Sequence, residues 1–300
     1  MNKHQRGFTL IELIIVMIVT SIVVVMISAI ISRPLTGYFD TQRRADLADR
    51  GQAAINRMAF ELENSVPNSV RISGTTIEFM PVLSAGRYRS GGAQKVHVLT
   101  KTKIKNNPPA SPLTFNSLGG VTIGSNNRIV INNTTASILY ADATDASPYT
   151  GVITAPAPAN GITTSDCWVD SNSDVDCAGG PTGKPKETRI TIARGHEFNA
   201  SGNGSPSKRF YLAKDAVTYN CDTGATTLKR YTGYPLVATQ VAIPTATSIS
   251  TLATGVTACT FSLKAPSAAA NLPIVIISLE MTADGEKMTL FKEVQLWNAP

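Results

Sequence analysis

The rhythm of apolar and polar positions changes twice along the chain. From Phe8 to Ile31 the sequence is apolar almost without a break, and Glu12 is the single charge in those 24 residues. As an α-helix such a run rises about 36 Å, enough to cross the hydrocarbon core of a bilayer with some tilt. From residue 34 polarity rises, and Leu47, Ile55, Met58, Ala59, Leu62 and Val66 recur at helical spacings. Arg43, Arg44, Asp49, Arg50, Asn56, Arg57 and Glu63 fall off that face. The pattern predicts an amphipathic continuation of the helix across residues 34–66, with Pro34 as a possible kink and Pro67 as the stop near Ser65. Its apolar face needs a cover, and a β-sheet built from later residues is the obvious one.

From Val70 onward the period shortens. Residues 70–72 and 76–80 read as two short strands about a turn at Ser73-Gly74. Residues 96–99 and 128–131 read as further strands, with turns at Pro108-Pro109, Gly119-Gly120 and Asn126-Asn127. Residues 209–234 predict strands flanking a hairpin turn at Asp222-Thr-Gly224. The C-terminal runs around Asp284-Gly285 carry the strongest hairpin signal and could lie over the apolar helix face. Thr, Ser, Asn, Gly and Pro abound after residue 67, which suits many short strands. The expected fold class is α+β, a long N-terminal helix packed on an antiparallel β-rich C-terminal domain. The expected divisions are a leader over 1–7, an apolar helix over 8–33, its amphipathic continuation over 34–66 and a globular domain over 67–300.

Charge and chemistry narrow the function. The net charge is +6. The basic clusters, Arg43-Arg44, Lys101–Lys105 and Lys208-Arg209, lack the interleaved aromatics of a nucleic-acid surface, so no nucleic-acid partner is expected. The three histidines, His4, His97 and His196, accompany no nucleophile, phosphate or metal motif. The chain does not read as an enzyme, and no cofactor is implied. Asp170, Asn172 and Asp174 alternate as at the start of an EF-hand loop, but Val175 replaces the required glycine and Pro181 the bidentate glutamate. A polar surface hairpin is the plainer reading of that stretch. Tyr219, Tyr231 and Tyr234 would suit a sugar-stacking surface, yet tyrosines in hairpins more often pair across strands and fill the core.

The four cysteines, Cys167, Cys177, Cys221 and Cys259, show no C-x-x-C spacing. An even count behind a membrane segment points to two disulfides and an oxidising compartment. Three connectivities are possible. The favoured one is sequential: Cys167–Cys177 closing a short polar loop, and Cys221–Cys259 joining one strand-like segment to a later one.

The N-terminal run has no small-residue cleavage site near Ser28-Ala29-Ile30 and is too long for an ordinary secretory signal. Lys3 and Arg6 precede it, which favours an N-in orientation. The residues Arg6-Gly7-Phe8-Thr9-Leu10-Ile11-Glu12-Leu13 resemble the class III signal of type IV pilins and type II secretion pseudopilins. The resemblance implies cleavage by prepilin peptidase between Gly7 and Phe8, N-methylation of Phe8, and retention of the apolar helix. Glu12 then becomes the fifth mature residue and sets register against the terminal amine of a neighbouring subunit. Thr9-x-x-Glu12 also fits a capping box that closes the helix's own first turn, and a glutamate at the membrane edge could reach the headgroups.

Further segments resemble the large minor pilin-like proteins of mannose-sensitive haemagglutinin (MSHA) pilus systems. They are Gly37-Tyr38-Phe39, residues 57–59, 66–71, 209–212, 217–221, 228–234 and 258–261, and the Gly285-Glu286 hairpin. The resemblance implies a protein of pilus biogenesis in a tip or priming complex. It would be held in the inner membrane by one span, with its domain in the periplasm, until assembly. Its partners would be the peptidase, other minor and major pilins, the inner-membrane assembly platform and lipid. A J-type pseudopilin of type II secretion is the second reading. A tip adhesin using residues 84–200 is the third.

Overall fold

The computed structural model describes residues 8–89, 113–121, 123, 128–141, 162–169, 175–176, 186–192, 205–213, 215–265 and 272–297. The strand expected at 96–99 and the calcium-like alternation at 170–174 lie outside these residues.

One helix, α1 (Leu10–Glu63), is 54 residues long and runs through Pro34 without interruption. Thr9 caps its start with extended backbone, and its hydroxyl accepts from the Glu12 N–H at 3.4 Å. This is one half of the expected capping box. The helix ends at Glu63, two residues short of the expected stop near Ser65, with Asn64 as its C-cap, and the Asn64 side chain donates back to the Phe60 carbonyl at 2.8 Å. A short polar side chain thus competes for the helix backbone before Pro67 is reached.

Every strand pairing among the described residues is antiparallel. Strands β1 (Arg71–Ser73) and β2 (Thr76–Phe79) form the first hairpin. With β10 (Val217–Asp222), β11 (Thr227–Thr232) and β12 (Ser248–Thr254) they make a five-stranded sheet in the order β1-β2-β10-β11-β12. A three-stranded sheet follows, with β13 (Val256–Lys264), β14 (Ile274–Ala283) and β15 (Glu286–Gln295) in sequence order. The turn between β14 and β15 has only two residues, and Asp284 (φ 51°) and Gly285 (φ 86°) are both left-handed. That is the type I′ geometry whose twist matches paired strands.

Leu47, Ala54, Ile55, Met58, Ala59 and Leu62 of α1 are buried against both sheets. The sheets answer with Ile77, Phe79, Tyr219, Val275, Ile277 and Leu279, among others. Each large aliphatic side chain so buried is worth roughly 1.5–3 kcal/mol. The predicted face is therefore the real one, with one difference. Val66 lies beyond the helix end and packs in a second cluster with Met80, Tyr140 and Tyr211.

A second β layer hangs from the strand after β2. It comprises the sheet β3 (Val82–Arg87), β9 (Arg209–Ala213), β5 (Arg128–Val130), ordered β3-β9-β5, and the short helix α2 (Ala136–Ala141). A four-stranded sheet of β4 (Leu113–Ser117), β8 (Lys186–Ile192), β6 (Ile162–Val169) and β7 (Val175–Asp176) completes it. Phe115, Ile190, Ile192, Phe210 and Leu212 fill the space between the two sheets.

A disulfide joins Cys221 on β10 to Cys259 on β13 with a Cα–Cα distance of 6.2 Å. It ties the five-stranded sheet to the three-stranded one. Cys167 is also disulfide-bonded, and its expected partner Cys177 lies outside the described residues. Tyr219, Tyr231 and Tyr234 are all buried, so they serve the core and not a stacking surface.

Candidate assembly surface

The two halves of α1 meet different solvents. Leu10–Ser28 has a mean hydropathy of 3.0, is long and apolar enough to cross a membrane, and is wholly uncovered by the rest of the chain. Its residues include fifteen large hydrophobic side chains from Leu10 to Ile27 that are exposed. In water such a stripe would drive aggregation; in lipid or against other helices it is an assembly surface. The few polar groups on it are mostly satisfied locally. The Thr20 hydroxyl donates to the Val16 carbonyl at 2.6 Å, and the Ser21 hydroxyl to Ile18 at 2.8 Å. These bonds use spare carbonyl lone pairs and remove the need for an outside partner.

Glu12 differs. Its backbone N–H is held by Thr9, but among the described residues no side chain partners its carboxylate. A lone carboxylate in a membrane helix costs about 2.5–3.5 kcal/mol by insertion scales, so it favours a site where a cation is supplied. Gly7 lies outside the described residues, and Phe8 stands exposed just ahead of the first turn.

The lower half of α1 is clamped to the domain. At Gly51 a Cβ would stand 2.1 Å from Leu290 Cδ1 and 2.6 Å from Met281 Sδ. A side chain at this position would push Leu290 and Met281 into other rotamers, so the glycine lets the β14–β15 hairpin pack closely on the helix. Higher up, Arg44 forks onto Glu286 with N–O distances of 2.8 and 3.2 Å, and Arg43 lies 4.0 Å from Asp284. Two arginines on the helix thus hold the tip of the hairpin. The Arg44 hydrogen bond lowers the Glu286 pKa.

Glu61 is the clamp that sequence pattern did not show. It is buried on α1 and faces the five-stranded sheet. Its Oε2 accepts from the Tyr219 hydroxyl at 2.8 Å and from Arg230 Nε at 3.0 Å, while Oε1 pairs with Arg57 at 2.6 Å. Burial, then the adjacent carboxylate, raises the Tyr219 pKa well above its ordinary value. A second buried carboxylate, Glu78 on β2, accepts from Arg71 Nε at 2.6 Å and from the Tyr234 hydroxyl at 3.1 Å. Arg71 also lies over the Tyr140 ring at 3.6 Å and donates to the carbonyls of Val237 and Ala238. Helical spacing marks Glu61 as one more polar residue, and only the opposing strands supply its partners. Alternation within residues 76–80 likewise says nothing of the arginine across the hairpin.

Taken together, α1 is one continuous rod, fixed to the domain at one end and bare and apolar at the other. Residues 2–28 match the prokaryotic N-terminal methylation motif. No curated protein and no solved structure matches the chain significantly. The chain therefore carries a class III prepilin signal, the feature that type IV pilin-like proteins share, joined to the membrane-length helix that such a signal serves.

Proposed function

We propose that this protein is a non-enzymatic minor pilin of an MSHA-type type IV pilus, of the MshO kind, acting in a tip or priming complex. The observation that carries the reading is the methylation motif continuous with an exposed apolar helix whose far half is locked into a large domain. The resemblance of the tyrosine- and cysteine-bearing segments to MSHA minor pilins supports the choice of filament. A J-type pseudopilin of type II secretion is the alternative, and the neighbouring genes separate the two.

In this reading prepilin peptidase cuts between Gly7 and Phe8, and the new Phe8 amine is methylated. The anchored chain waits in the inner membrane with its domain in the periplasm, then joins other pilins at the assembly platform. Phe8 and Glu12 are four residues apart, about 6 Å along the helix. Pairing of Glu12 with a neighbour's Phe8 amine therefore offsets the two helices by about one turn. The carboxylate discourages other registers, because in them it stays unpaired in an apolar bundle. A domain of this size fits a terminal position better than a tightly packed shaft.

Mass spectrometry of the mature protein tests the processing step, with a methylated Phe8 as the expected N-terminus. An intact Met1, or a cut near residue 30, overturns the reading. Glu12→Ala is expected to be cleaved normally yet to abolish assembly; normal piliation in that strain refutes the register role.

A further inference from the structure

We propose that Arg87, Lys208 and Arg209 form a binding site for an ester-borne oxyanion, a sulfate or phosphate group on a sugar unit of an acidic polysaccharide. The site lies on the domain and does not rest on how the helix assembles.

Strands β3 and β9 pair so that Arg87 stands directly opposite Arg209. Side chains at opposed positions share one face roughly 5 Å apart, and like charges there repel. Lys208, the next residue, holds a left-handed backbone (φ 57°) that long side chains seldom adopt. A tight turn enforces it. The Lys208 N–H donates to the Ser205 carbonyl at 2.9 Å, the Arg209 N–H to Ser205 Oγ at 3.1 Å, and the Tyr88 N–H to the Lys208 carbonyl at 2.8 Å. The register and this turn thus place three cations at one end of the β3–β9 pair. All three are exposed, and among the described residues no carboxylate pairs with any of them.

Arg87 and Lys208 line a pocket of about 400 Å³, with Leu118 and Pro206 on its wall. Arg89, also on the pocket, is already held by Glu187, whose Oε2 accepts from Asn116 Nδ2 at 2.9 Å. That pair shapes the wall and leaves the other cations without a counter-charge. Uncompensated charge in a concave surface concentrates anions from solution.

The pocket volume suits one sugar ring and its ester group. Nucleic acid fits less well. Tyr88, the aromatic residue at the pocket, is buried, so no ring face is offered for a base to stack on.

The test is calorimetric titration of the full chain in detergent micelles at low salt. The probes are a heparin-derived hexasaccharide, a phosphorylated mannan fragment, the ester-free form of each, and a short duplex DNA. One or both esterified sugars are expected to bind, the ester-free forms not to bind, and affinity to fall as salt rises. Arg87→Glu is expected to weaken binding roughly tenfold, the loss of one charge-assisted contact. It should also melt no lower than wild type, because it replaces a repulsive pair with an attractive one. If Arg87→Glu melts lower, Lys208→Asn decides, since asparagine tolerates the left-handed backbone: weakened binding supports the site, and wild-type affinity overturns it. Failure of both esterified sugars to bind, equal binding of the ester-free forms, tighter binding of DNA, or unchanged affinity in Arg87→Glu each overturns the proposal.

Discussion

Replacing Glu61 by alanine isolates the joint between rod and domain. The Glu61 side chain is 9% exposed and serves Arg57, Arg230 and Tyr219 at once. Its loss leaves the half-buried Arg230 guanidinium without its anion and a fully buried phenol without an acceptor. Removing one partner of a buried ion pair costs about 3–5 kcal/mol, most of it from the charge left behind. For a domain of this length that corresponds to a fall in Tm of roughly 10 °C. Two controls set the scale. Arg57→Ala removes a side chain that is 58% exposed and is expected to cost less than about 1 kcal/mol. Tyr219→Phe removes one hydroxyl while Glu61 keeps both arginines, and is expected to cost about 1–2 kcal/mol. Thermal and denaturant unfolding of the full chain in detergent, followed by tryptophan fluorescence, reads all three. The expected order is Glu61→Ala, then Tyr219→Phe, then Arg57→Ala. If Glu61→Ala is no worse than Arg57→Ala, the carboxylate is not a buried node and the helix is held to the sheet by apolar packing alone.

Gly51→Leu is expected to destabilise the domain by about 1–3 kcal/mol, the usual cost of overpacking, because Leu290 and Met281 must move to admit the new side chain; a wild-type melting curve would show that helix and hairpin are not in close contact. Cys221→Ala with Cys259→Ala opens a 38-residue loop, worth about 4 kcal/mol by loop entropy, and comparative melting with and without reductant checks it. Alkaline pH should unfold the protein cooperatively. Burial holds the Tyr88 pKa up to about 12 and raises those of Tyr140, Tyr219 and Tyr234 as well. The unfolded chain releases these protons from about pH 10 while the folded one retains them, so stability is full below pH 10 and falls as pH rises through the raised values. Phenolate absorbance should rise together with loss of structure; smooth titration of all tyrosines near pH 10 in the folded protein would refute the burial.

The sequence by itself determined the long-range plan. Twenty-four apolar residues with one charge can only be a membrane-length helix, and the 3.6-residue period from Leu47 to Leu62 names the face that α1 buries. Asp284-Gly285 states its own turn, because few residue pairs accept two successive left-handed conformations. These features are legible because their cause is local: a bond angle, a period, a missing Cβ. The clamps were not. Glu61 looks like any polar helix position until Tyr219 and Arg230 arrive from strands more than 150 residues away. Arg87 and Arg209, too, are ordinary surface cations in one dimension. Their opposition is decided by the register of β3 against β9, and register is set by which faces of the sheet must be dry. Period and turn chemistry act between neighbours in the chain, whereas charge pairing and repulsion act between neighbours in space, and those were created only when the sheets closed over the helix.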